Sequence, residues 1–231
     1  MGILLDGLSV TVGAILGRIC KKHIMLKNFS VLGIGIMIIS LVGFFENVFS
    51  ITDMKLQSSH LMLVILALIV GSWIGETIGI EEKLSRFAKY DNILGNAFVD
   101  ATLFFGIGGL QISGPILLAL NQDNSQLILK SLIDFPFALM FGMSYGGTAA
   151  FSAIPVMLLQ LLFWMLACLF GNFFSDGFIG QLCAMGYIVL FFSGFNLICD
   201  GRYKISNVNM IPGIFLIIMF NLLWTIWGIA V

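Results

Sequence analysis

Two aspartates, Asp100 and Asp134, interrupt long apolar segments in a chain that is 59% hydrophobic and only 10% charged. A carboxylate at membrane depth costs about 2.5–3.5 kcal/mol on insertion scales, so it faces a bundle interior, a partner or a water-filled pathway. The chemistry such residues offer is cation or proton binding. Neutral oxygen donors accompany them: Gln111 and Ser113 follow Asp100 in the same segment, and Gln160, Asn196 and Asn221 lie in later ones. Hard cations take oxygen ligands, and carboxylate, amide, hydroxyl and unwound backbone carbonyl are all available here. Lys130 stands one helical turn before Asp134, at i,i+4 ion-pair spacing. That gives Asp134 a structural explanation as a buried acid neutralised by a snorkelling lysine. Asp100 has Thr102 beside it and no basic residue near in sequence. Asp6 and Glu76 read as closer to interfaces, Glu76 because Gly79-Ile80-Glu81-Glu82-Lys83 follows it.

The elements that must position these groups are membrane helices. A mean hydropathy of +1.06 over 231 residues is outside the range of soluble domains. A bilayer core of about 30 Å needs about 20 apolar residues at 1.5 Å each. Eight such spans are expected, at about 2–19, 29–49, 60–79, 94–119, 126–146, 149–171, 179–198 and 209–230. A short polar link containing Asp53 and Lys55 joins the second and third. Of the 11 basic residues, Arg18, Lys21, Lys22, Lys27, Lys83, Arg86, Lys89, Arg202 and Lys204 fall in loops that eight spans place on one side. By the positive-inside rule that side is cytoplasmic, with both termini outside. The basic residues follow the first apolar stretch rather than preceding it, so no signal peptide is expected.

The fourth span, about 39 Å long as one helix, carries Gly106, Gly108, Gly109, Gly114 and Pro115. It reads either as a discontinuous helix lining a cavity or as a tilted helix with Gly packing faces. Gly142-Met-Ser-Tyr-Gly-Gly-Thr-Ala-Ala150 reads either as a pore-lining element or as a tight hairpin with a Gly cap. An internal repeat pairs Leu4, Leu5 and Gly17 with Leu158, Leu159 and Gly171, Gly33 and Ser40 with Gly186 and Ser193, and Leu68 and Trp73 with Leu222 and Trp227. Leu and Gly are common, so the identities alone prove nothing; the nearly constant offset of 153–154 is the informative part. It relates spans one to three, within 1–80, to spans six to eight, within 149–231, around the central pair 94–146. The copies are five spans apart and so run in opposite directions, an architecture of transporters with a midplane site.

Other chemistry is excluded by what is missing. There is no Walker A, no His-Glu-x-x-His and no Ser-His-Asp order, so no enzyme is expected. Cys20, Cys168, Cys183 and Cys199 form no Cys-x-x-Cys, and His23 and His60 have no neighbour at ligand spacing, so no metal centre or cofactor is expected. The net charge of −1 gives no reason to expect a nucleic-acid partner.

Several short stretches carry a family resemblance over nearly the whole chain. They are Gly75-Glu76 with Gly79-Ile80-Glu81-Glu82-Lys83-Leu84, Lys130-Ser131 with Asp134, Phe151-Ser152-Ala153-Ile154-Pro155-Val156 with Gln160, Gly194-Phe195-Asn196-Leu197, and Asn209-Met210-Ile211-Pro212. The chain resembles the YqgA/YdfK-type bacterial membrane proteins grouped as domain of unknown function 554. The resemblance implies a bacterial cytoplasmic membrane and suggests a sodium channel or pump. The family usually has Asn where Asp6 stands here and is less polar near Asp100, so the resemblance favours Asp134 and Gln160.

The expectation is therefore an all-α polytopic bundle forming one integral membrane domain over 1–231. Its expected function is secondary transport or channelling of a small cation, sodium or proton. Asp134 would be the cation site, with Asp100 as a second acid on the inner side and Gln111, Ser113, Gln160, Asn196, Asn221 and Glu76 as further candidates. The competing expectation is a non-transporting subunit that binds another membrane protein through Gly-rich faces. Homo-oligomerisation is a further expectation from the pairs Gly13/Gly17, Gly71/Gly75 and Gly142/Gly146.

Overall fold

The structure is a computed structural model that describes residues 1–20, 30–52, 55–58, 61–83, 98, 101–102, 104–106, 109–171, 175–199, 203 and 205–226. The described helices are α1 (Gly2–Cys20), α2 (Ser30–Val48), α3 (Leu61–Ile78), α4 (Gly109–Asn121), α5 (Ser125–Tyr145), α6 (Ala153–Phe170), α7 (Asp176–Cys199) and α8 (Ile211–Ile226). Each is apolar around its whole circumference rather than along one stripe, the pattern of helices solvated by lipid. Exposed Leu8, Ile38, Leu66, Leu132, Leu158 and Phe215 supply the lipid-facing surface.

Six helical stretches among the described residues are long and apolar enough to cross a membrane, and α4 and α8 are shorter apolar helices. These two lie where the fourth and eighth spans are expected. Much of the fourth span before Gly109, and the end of the eighth after Ile226, lie outside the described residues. The polar link after α2 differs from expectation. It is a two-stranded antiparallel hairpin, β1 (Phe49–Thr52) and β2 (Lys55–Ser58), in register Phe49 with Ser58 through Thr52 with Lys55.

The chain forms two compact units, and neither is a contiguous half. One comprises Met1–Lys27 and Glu82–Leu169, the other Asn28–Glu81 and Phe170–Val231. In the first unit α1 packs along α5 in parallel. Gly2 meets Leu127, Gly13 meets Phe135 and Ala138, and Gly17 meets Leu139 and Met143. Small residues let the backbones approach closely, which matters where lipid gives no hydrophobic drive for helix association. A Cβ on Gly17 would overlap the Leu139 carbonyl, and one on Gly142 the Ala14 carbonyl. Gly17→Leu is therefore expected to lower stability by about 1–3 kcal/mol through overpacking, read as a lower thermal unfolding midpoint in detergent.

The fourth span returns antiparallel along α5. Phe104 packs on Phe137 with ring centroids 4.5 Å apart, Phe105 lies near Phe141 at 5.7 Å, and Ser113 bonds Gln126. α5 is continuous through Pro136. At its end Gly146 adopts φ 90°, ψ −173°, and its N–H donates to the Gly142 carbonyl. That backbone geometry belongs almost solely to glycine. A 3-10 turn, Gly147–Ser152, then leads into α6. A Gly146 cap and a 3-10 turn thus join α5 to α6.

In the second unit α2 runs antiparallel to α7, with Gly33 against Gly194 and Gly43 against the Tyr187 ring. α3 runs antiparallel to α8, with Gly71 against Gly213 and Gly75 against Asn209. Val48, Val64 and Ala184 form a buried cluster with Phe44 and Ile188 packed on it. The pairs Gly13/Gly17 and Gly71/Gly75, and Gly142, are all engaged inside their own units, so they are not open docking faces.

Candidate functional site

Four helices of the first unit converge on one buried polar cluster. The N–H of Gly2 donates to Asn124 Oδ1 at 3.0 Å, tying the first turn of α1 to the turn before α5. One turn further along, Asp6 faces α5 at the level of Lys130. The Lys130 ammonium donates to Asp6 Oδ2 at 2.9 Å and also to Asp134 Oδ2, forming two salt bridges. From α6, Gln160 Nε2 donates to the same Asp6 Oδ2 at 2.6 Å and to Gln111 Oε1 at 3.0 Å. From α4, Gln111 Nε2 donates to the Val156 carbonyl at 2.8 Å. Asp6, Gln111 and Gln160 are fully buried, Lys130 is 5% exposed and Asp134 7%.

The cluster holds two carboxylates and one ammonium. Both carboxylate partners of Lys130 are inside the bundle. With both acids ionised the group carries one excess negative charge. Two buried acceptors also have no donor, Asp6 Oδ1 and Gln160 Oε1. A site of this composition attracts a positive charge and offers it oxygen atoms. No group of three or more His, Cys, Asp or Glu among the described residues is arranged to hold a metal ion. An apolar groove of about 860 Å³ runs past Leu4, Leu8, Thr11, Ile154 and Met157 toward Arg18; its walls lack the oxygen donors of the cluster.

The structure brings together Asp134, Gln111 and Gln160 of the expected candidates. Ser113 is buried two residues along α4 from Gln111, and its hydroxyl donates to Gln126 Oε1 at 2.6 Å. Asp100 lies outside the described residues. Asn196 is elsewhere, in the second unit. It donates to the Ile205 carbonyl at 2.7 Å and accepts from the Ile205 N–H at 2.8 Å, fixing the chain after α7. Asn221 donates to Gln181 Oε1 and to the Ile217 carbonyl, also within the second unit. Glu76 is exposed in the last turn of α3. Asn196→Ala would leave both Ile205 backbone groups without their partner and is expected to cost about 1–3 kcal/mol. The thermal midpoint in detergent should fall accordingly.

Two readings from the sequence change in the structure. Asp6, read as lying closer to an interface, is fully buried at the centre of the cluster. It stands only about 6 Å along α1, yet Gly2, Gly7 and Gly13 draw one face of that helix so close to its neighbours that Asp6 on that face is enclosed. Lys130 does not snorkel: its ammonium turns inward to bridge two acids. A signal for Asp6 was present in the chain. Leu4 and Leu5 recur as Leu158 and Leu159, and the next position under that offset pairs Asp6 with Gln160.

Residues 1–222 match the family described as "Protein of unknown function (DUF554)". The chain is 24% identical to the "Uncharacterized membrane protein YdfK" of Bacillus subtilis (strain 168) over 219 residues, 92% of each chain. It is likewise 24% identical to the "Uncharacterized protein YqgA" of Escherichia coli (strain K12) over 247 aligned positions, 98% of each. No solved structure matches.

Proposed function

We propose, on the premise that the chain belongs to the DUF554 family, that it moves a small cation, sodium or proton, across the bacterial cytoplasmic membrane as a secondary transporter or channel. The observation that carries this reading is one buried ammonium, Lys130, set against two buried carboxylates, Asp6 and Asp134. Taking charges out of water costs several kcal/mol per ion, and an ion pair recovers it only with good geometry. An excess carboxylate at membrane depth is a standing cost that a purely structural contact does not need. A transiently bound cation or proton removes it. Asp134 and Asp6 are the binding acids in this reading, Gln160 and Gln111 the neutral oxygen donors, and Asp100 a second acid nearer the inner side.

The orientation is the one given by the positive-inside rule, with both termini outside. Parallel packing of α1 and α5 bears on the span count rather than the orientation: the chain between them then crosses an odd number of times, as α2, α3 and one further span would. The inverted repeat also belongs to this reading. Its partner helices fall in the same unit in every case: α1 with α6 in the first, α2 with α7 and α3 with α8 in the second. No catalytic chemistry is assigned. The alternative of a non-transporting subunit that docks through Gly faces has less to stand on, because Gly17, Gly71, Gly75 and Gly142 already pack internally. The test is cation flux in proteoliposomes, present for the wild type and lost in Asp134→Asn; partner-dependent activity with no flux from the purified protein would favour the subunit instead.

A further inference from the structure

Asp6 and Gln160 are hydrogen-bonded to each other across 154 residues of chain. That separation is the offset of the internal repeat, in the register that equates Leu4 and Leu5 with Leu158 and Leu159. Equivalent positions of two inverted copies meet only where both lie beside the pseudo-two-fold axis, and transporter sites lie at that interface. The same two side chains hold the two unpaired oxygens of the cluster, Asp6 Oδ1 and Gln160 Oε1. An unmatched buried acceptor costs about 1–3 kcal/mol, and such groups point to a role or an unseen occupant.

The donors facing this pair already have acceptors. Lys130 Nζ serves Asp6 Oδ2 and Asp134 Oδ2, Gln160 Nε2 serves Asp6 Oδ2 and Gln111 Oε1, and Gln111 Nε2 serves the Val156 carbonyl. The charge count limits the occupant. Two carboxylates and one ammonium leave a single negative charge, which one monovalent cation neutralises and a divalent one would reverse. The two free oxygens belong to side chains joined by a 2.6 Å hydrogen bond, Asp6 Oδ2 accepting from Gln160 Nε2.

We propose that Asp6 Oδ1 and Gln160 Oε1 together receive one desolvated monovalent cation at the axis of the repeat, Gln160 acting as the uncharged counterpart of Asp6. This rests on the transport reading and names the atoms that take the cargo. The pair is asymmetric for a reason of charge. Two acids would raise the local excess to two negative charges and two amides would remove it. What matters is one acid in the pair, whichever copy supplies it.

The experiment is an isosteric exchange. The full-length protein in detergent is titrated with NaCl or KCl against N-methylglucamine chloride at constant ionic strength, and separately with acid, following the thermal midpoint. The wild type should show saturable stabilisation by Na⁺, K⁺ or protons, and the responsive arm identifies which. Asp6→Asn should weaken that response about tenfold or more, and Asp6→Asn with Gln160→Glu should restore it to within about threefold. Gln160→Met, which keeps the shape and removes the oxygen, should weaken the response while staying monodisperse. A double variant as defective as Asp6→Asn, wild-type response in Gln160→Met, or no response to any of the three cations would overturn the proposal. Flux without this pattern would leave transport standing and this site refuted; the pattern without flux would do the reverse.

Discussion

Lys130→Met is expected to be the most destabilising single substitution in the cluster. Lys130 is 5% exposed and is the ammonium partner of both Asp6 and Asp134. Methionine fills much of the same volume, so packing is nearly conserved and the loss is electrostatic. Removing one partner of a buried ion pair costs about 3–5 kcal/mol because the remaining charge has no compensation, and here two carboxylates lose it at once. Against the roughly 5–15 kcal/mol by which folded domains are stable, that should appear as poor recovery and a much lower thermal midpoint. The defect should be rescued by removing the charges that cause it. Lys130→Met with Asp6→Asn and Asp134→Asn leaves an uncharged cluster of similar shape, whose amides cost about 1–3 kcal/mol where unpaired, less than two carboxylates left without their ammonium. A Lys130→Met protein as stable as the wild type would mean that the acids are not held as carboxylates by that lysine.

Asp134→Asn is expected to separate stability from transport. Asn keeps the shape of Asp, and Lys130 retains Asp6 as its partner at 2.9 Å. The charges that remain cancel, so the fold should survive. What disappears is the excess negative charge. A unit charge about 4 Å away is worth about 4 kcal/mol at an effective dielectric of 20, near three orders of magnitude in occupancy. Flux at subsaturating cation should fall by at least about a hundredfold, measured per monodisperse molecule in proteoliposomes. Retained flux would remove Asp134 from the mechanism and leave it as a structural partner of Lys130.

Much of this was legible in the chain because membrane helices are written as length and hydropathy, and both survive burial in any environment. α1, α2, α3, α5 and α7 fall within a few residues of their expected bounds. Asp134, Gln160 and Gln111 stood out because a polar side chain in an apolar run must find a partner, whatever the fold. Which partner it finds is a tertiary matter. Asn196 carries the same signal as Gln160, yet it bonds the Ile205 backbone nine residues on, a local contact within its own unit. Asp6 failed in the opposite direction. Distance along its own helix suggested an interface, whereas the neighbours drawn in by Gly2, Gly7 and Gly13 enclose it. Sequence spacing reports the depth of a residue in its helix, and only packing reports its environment. The link at 49–58 was placed from its polarity, whereas its pairing is set by β1 and β2 meeting each other.

The most direct measurement is cation flux through the charge-free variant, Lys130→Met with Asp6→Asn and Asp134→Asn, reconstituted beside the wild type. Its shape is close to that of the wild type and it carries no unpaired buried charge, and size-exclusion and thermal midpoint establish its folding first. Sodium and proton fluxes at the level of empty liposomes, from a protein as monodisperse as the wild type, are the predicted result. Wild-type-like flux from the uncharged cluster would contradict the claim that Asp6, Lys130 and Asp134 form the cation site.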